Sequence, residues 1–126
     1  MSRRYPELLL DDMLDCIATI ETFYEGKTSE DIMASRLCRD AIIRNLEVLG
    51  EAANQLTPEI RMLAPEVPWR SIIALRNRLI HEYHGVNWKV VLPIVLNDLP
   101  KLKTDLMALS ARIALPHIEP LKDNEQ

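Results

Sequence analysis

Apolar residues recur along this chain at steps of three and four, the spacing of one helical face, and punctuation between the runs predicts where helices begin and end. Pro6 suits a first helical turn, where its missing N–H is no loss. From it Leu10, Met13, Leu14, Ile17 and Tyr24 follow in register until Gly26 offers a stop. Ser29 is the expected N-cap of a second helix, with Glu30 and Asp31 at its positive end. Along that helix Ile42, Leu46, Leu49, Ala53 and Leu56 form a stripe, widened by Leu37, Ala41 and Val48, so burial on more than one side is expected. Thr57 and Pro58 open a short helix in "TPEIRMLAPEVP", followed by a stiff connector. Pro68 and Trp69 begin the next helix, predicted to run to Gly85. Asn87 caps a last long helix from Trp88, which Pro93 and Pro100 should kink or interrupt. The sum is an all-α bundle of four main helices with a short fifth. One domain covers residues 1–115, and a polar, frayed tail covers 116–126.

Composition supports this pattern. Hydrophobic residues make up 48% of the 126, yet aromatics are only 5% and glycines number three, a balance that favours helix over sheet. No stretch approaches the roughly 20 uncharged apolar residues of a membrane span. "RRYPELLLDDML" places acids directly after a short apolar run, unlike a signal peptide. A cytoplasmic protein is expected, with Cys16 and Cys38 as reduced core thiols rather than metal ligands. The formal charge of −4 argues against a general nucleic-acid coat but leaves room for a local basic site. Arg36, Arg39, Arg44, Arg70 and Arg78 either track phosphates or pair with Asp40, Glu47 and Glu66; both readings stand.

Chemistry concentrates in "RNRLIHEYHG", Arg76 to Gly85. On a continuous helix Arg76 and Tyr83 are nearly eclipsed and Asn77 and His81 are neighbours, while Arg76 and His81 lie about 140° apart. Those two converge only through a swung arginine, a bent helix or a second subunit, which makes a composite site at a two-fold interface attractive. The residue types suit attack on a phosphodiester. A guanidinium grips phosphate oxygens, and an imidazole exchanges a proton near neutrality. On RNA the nucleophile is the neighbouring 2′-hydroxyl, so no metal-activated water is required. Tyr83 and Asn77 would bind a base or hold the His81 tautomer. The plainer reading is a charged helix terminus favouring the dipole. "HEYH" puts His81 and His84 three apart but lacks the zinc-protease signature and an evident third ligand, so no metal or cofactor is expected. Glu51 either faces inwards to orient Arg76 or Asn77, or sits on the surface. Trp69 and Trp88 are expected to be packing anchors rather than base-stacking platforms.

Arg76, His81 and Tyr83 reproduce the R-x4-H-x-Y form of the motif of HEPN-domain ribonucleases. "LGEAANQL", "VPWRSIIALRNRLIHEYHGVNW" and "LPKLK" stand in the order and spacing of HepT toxins, which nearly the whole chain apart from its tail resembles. The resemblance implies a HEPN homodimer with Arg76 and His81 of both protomers lining a shared cleft. It implies a metal-independent ribonuclease toxin of a type VII-like toxin–antitoxin system, acting on tRNA or mRNA. The implied partner is an MNT-type nucleotidyltransferase antitoxin that silences the toxin by adding AMP to Tyr83. Added phosphate and bulk at Tyr83 would repel an incoming RNA phosphate. His84 stands where many relatives carry an aromatic, which places a second titratable ring beside the site. The alternative is a non-catalytic HEPN subunit that binds a nucleotide or docks a nucleotidyltransferase.

Overall fold

The computed structural model describes residues 5–123, and among them every regular element is helical. Helix α1 spans Pro6–Tyr24 with the proline in its first turn, and it buries Leu9, Leu10, Met13, Cys16, Ile17 and Ile20. Glu25 leaves helical angles and Gly26 turns the chain at φ 74, a left-handed conformation that a side chain would disfavour.

The single second helix expected from the sequence is two. Helix α2 covers Ser29–Ala34, and its N-cap is Thr28 rather than Ser29. The Thr28 hydroxyl accepts from the Asp31 amide at 3.1 Å, and the Asp31 carboxylate accepts from the Thr28 amide at 3.0 Å. This reciprocal box satisfies two donors that a helix start leaves orphaned. The chain breaks at Ser35, whose hydroxyl accepts from the Cys38 amide at 3.1 Å and starts helix α3, Arg36–Gln55. Serine here competes with the helix ladder for a backbone donor, and that competition divides the segment. Leu37, expected to widen the stripe, is 74% exposed. It lies one position, about 100°, off the buried line of Cys38 and Ile42.

Helix α4, Pro58–Arg61, opens at Thr57 as its Thr-Pro start predicts. The connector after it is held by its own polar groups. The Trp69 indole N–H donates to the carbonyls of Arg61 and Ala64, each at 3.1 Å, and Arg61 donates twice to the Leu56 carbonyl at 3.0 and 2.9 Å. Trp69 then begins helix α5, Trp69–His81. Helix α6, Trp88–Pro93, is capped by Asn87, whose side chain accepts from the Lys89 amide at 3.0 Å. A wider π turn over Ile94–Asp98 joins it to α7, Leu99–Asp123. Pro100 has no N–H to give the ladder, and the widened turn lets its ring pass without ending the rod. The backbone stays helical from Pro116, where a frayed tail was expected, to Asp123. Side chains from residue 115 onward, His117 included, and residues 124–126 lie outside the described structure.

Helix α3 runs between α1 and α5, and α7 lies along α1. Leu99, Leu102, Leu106, Leu109 and Ile113 repeat every three and four residues to give α7 its buried stripe. Lys103 Nζ reaches Glu21 Oε1 at 3.2 Å and ties α7 to α1. Cys16 and Cys38 are buried free thiols. Burial, then the charges of Asp12 and Asp15, push the Cys16 thiol up to about 11. No helix among the described residues is long and apolar enough to cross a membrane.

Candidate functional site

The motif helix α5 is placed by one close approach. Gly50, buried on α3, faces α5 so tightly that a Cβ there would stand 2.3 Å from Arg76 Cβ and 3.1 Å from the Ile72 carbonyl oxygen. Ordinary carbon contacts are about 3.5–4.0 Å. Only a residue without a side chain lets the two backbones come this near. The sequence reading missed Gly50 as a site-forming residue. Its signal was present: an isolated glycine inside a strongly helical apolar pattern marks a place where another backbone comes close.

That approach sets Arg76 against α3. Its Nη2 lies 3.0 Å from Glu51 Oε1, and its Nη1 donates to Asn77 Oδ1 at 2.8 Å. Its Nε is buried without a hydrogen-bond partner. The guanidinium is thus clamped at both terminal nitrogens and retains one N–H on each for a ligand. The Glu51 side chain is 45% exposed, so it does not face inwards, and it lies against Arg76, itself 30% exposed.

The expected helix through Gly85 stops early. Glu82 leaves helical angles at φ −119, ψ 30, and residues Tyr83–Gly85 form a single 3-10 turn closed by Gly85 N donating to Glu82 O at 2.8 Å. Leu79 is the last buried residue of α5, and His81, Glu82 and His84 beyond it are exposed, so they give a further turn little to bury. Short helices depend on such packing. Two alignments drawn on a continuous helix therefore fare differently. Asn77 and His81 remain four apart on α5, whereas Tyr83 lies past its end and is not in helical register with Arg76. The Tyr83 side chain falls outside the described structure. His81 is the exposed last residue of α5. Among the described residues no hydrogen bond or ion pair joins it to Arg76, in keeping with their wide separation round the helix.

The five arginines weighed as a phosphate-tracking surface do not share one face. Arg36, Arg39 and Arg44 line an open groove of about 620 Å3 together with His84 and Trp88. Arg78 pairs with Glu82 at 3.9 Å, and Arg70 lies at a separate hollow beside Arg61 and Trp69. Trp69 is 8% exposed and serves as an anchor, while Trp88 is half-buried at the groove. Among the described residues no three His, Cys, Asp or Glu side chains cluster as a metal would need.

The all-helical architecture of the described residues agrees with a HEPN bundle. Residues 13–109 match the family described as "Ribonuclease HepT-like", and the chain belongs to that family, within the HEPN superfamily. Similar proteins include the "Probable ribonuclease HepT" of Thermococcus cleftensis, 37% identical over 94 residues, which are 75% of this chain and 86% of the relative. The "Putative RNase" of Caldanaerobacter subterraneus is 36% identical over 101 residues, 80% of this chain and 87% of that one. The "Gamma-glutamylcyclotransferase and putative RNase" of Methanocaldococcus jannaschii is 33% identical over 107 residues. That alignment takes in 85% of this chain but only 48% of the relative, so the chain spans about half of that protein. No solved structure matches this chain.

Proposed function

We propose that this protein is a metal-independent ribonuclease whose site is completed by a second copy of the chain, with Arg76 and His81 as the catalytic residues. The observation that carries the reading is the clamp on Arg76. Glu51 and Asn77 hold its guanidinium on the helix that ends in the exposed imidazole of His81. An arginine fixed before substrate arrives needs no reorganisation as charge builds on the phosphoryl oxygens. His81 takes the proton of the 2′-hydroxyl, the O2′–P bond forms, and the P–O5′ bond breaks. The leaving 5′ oxygen takes up a proton, giving a 2′,3′-cyclic phosphate and a 5′-hydroxyl. Two features support a homodimer. Arg76 and His81 of one chain are not in contact, and Ile80 on α5 and Val90 on α6 stay 41% and 40% exposed in a single copy.

The rest of the reading extends the resemblance to HepT toxins: a toxin acting on tRNA or mRNA in the cytoplasm, neutralised by an MNT-type nucleotidyltransferase antitoxin that adds AMP to Tyr83. In this reading the modified residue is Tyr83, whose backbone opens the turn after the motif helix. The first test is cleavage of RNA by the purified chain in EDTA. Wild type should cleave, His81→Ala should fold and not cleave, and light scattering should show a dimer. Mass spectrometry of the chain co-expressed with such a nucleotidyltransferase should show AMP on Tyr83. One observation favours a second reading, in which the Arg76 face only docks a nucleotide or a nucleotidyltransferase. Glu51 already offsets the charge of Arg76. Equal inertness of unmodified wild type and His81→Ala would decide for it.

A further inference from the structure

Charge is unevenly spread over this acidic chain. Helix α1 carries Glu7, Asp11, Asp12, Asp15 and Glu21 with no lysine or arginine, whereas the basic residues at the start of α3 gather along one groove. Arg36, Asp40, Ile43, Arg44 and Glu47 recur at three- and four-residue steps and so share one face of α3. Arg39 lies beside them, and His84, Val86 and Trp88 close the groove from the segment that follows α5.

The ion pairs within this groove are loose. Arg36 Nε stands 3.4 Å from Asp40 Oδ2, with the two side chains 86% and 68% exposed. Arg44 Nη1 stands 3.6 Å from Glu47 Oε1, with the arginine 75% exposed and the glutamate 17% exposed. Arg39 is turned onto the Met33 carbonyl. Exposed pairs of this kind contribute about 0–1 kcal/mol, less than a phosphate gripped by a guanidinium. From Arg36 to Arg44 the helix rises about 12 Å, enough to meet successive phosphates of an extended strand. A cationic groove with an aromatic side chain in its wall is the footprint of single-stranded nucleic acid. The groove wall also begins at His84, three residues beyond His81 in the chain.

The geometry points to this groove as the track for the single-stranded RNA that flanks the scissile bond, with Arg36 and Arg44 on its phosphates and Trp88 under a base. This assignment rests on the ribonuclease reading, and the experiment separates the two. The full-length protein is titrated with a fluorescent single-stranded RNA whose 2′-hydroxyls are methylated, so that it binds without being cut. The double variant Arg36→Gln/Arg44→Gln changes two exposed side chains, and circular dichroism verifies its fold. It should bind about tenfold more weakly, and the log–log salt dependence should flatten by about 0.7 for each phosphate that is no longer neutralised. Trp88→Phe should keep that salt dependence and weaken binding through stacking alone. If the double variant keeps wild-type affinity and salt dependence, or if wild type does not bind the strand, the track is overturned, whatever the cleavage assay shows. If the arginine variant loses binding while wild type cleaves no natural RNA, the track stands as a binding surface and the ribonuclease reading falls.

Discussion

Gly50→Ala adds one methyl group at the point where α3 meets the motif helix. The new Cβ would stand 2.3 Å from Arg76 Cβ, 3.0 Å from Arg76 Cγ and 3.1 Å from the Ile72 carbonyl oxygen. Ordinary contact begins near 3.4 Å, so α5 must retreat by about 1 Å. Neither a backbone oxygen nor a Cβ can swing aside as a side-chain tip can. Overpacking of this sort costs about 1–3 kcal/mol. Alanine is favoured over glycine inside a helix by about 1 kcal/mol, which offsets part of it. The net expectation is a loss of about 0–2 kcal/mol in urea unfolding. Activity should suffer more, because a displacement of about 1 Å at a catalytic group can cost about 100-fold in rate. Gly85→Ala is the control, since a Cβ there meets nothing within 4 Å. A Gly50→Ala protein that is more stable than wild type and cleaves RNA equally well would refute the close approach, because helix propensity alone would then account for it.

Two further expectations concern single groups. The Arg76–Glu51 pair is substantially exposed, so Glu51→Gln should change stability by under about 1 kcal/mol. If Glu51 positions the guanidinium, kcat should fall about tenfold with KM little altered; a lower KM at unchanged kcat would show that it only masks charge. Cys16 titrates at about 11 in the folded chain against an ordinary 9.0, because burial disfavours its thiolate. The unfolded thiol therefore ionises first, and stability should drop as pH rises from 9 towards 11, by up to about 3 kcal/mol. Cys16→Val should remove that part of the slope in urea titrations, and an unchanged slope would contradict the burial argument.

Much of the fold is local, and for that reason it was legible in the chain. The runs from Pro6 and from Trp88, the Thr57-Pro58 start and the Asn87 cap depend on residues within a turn or two of each other. The errors also have local causes. Thr28 took the cap expected of Ser29 because its box with Asp31 satisfies two donors, and Ser35 then divided the helix that follows. The end of α5 at His81 goes with the exposure of His81, Glu82 and His84, a tertiary fact.

Taken alone, the order of residues determined an all-helical chain and the presence of Arg76, Asn77, His81 and Tyr83 within a few positions. Periodicity and capping act over one or two turns, and a linear string records them fully. Tertiary structure decided what those residues face. It set Arg76 against Glu51, 25 positions earlier, through the missing side chain of Gly50, and it gathered Arg36, Arg44, His84 and Trp88 round one groove. Such distances depend on how closely whole helices pack, and packing is settled by the shapes of side chains that meet only after the chain has folded.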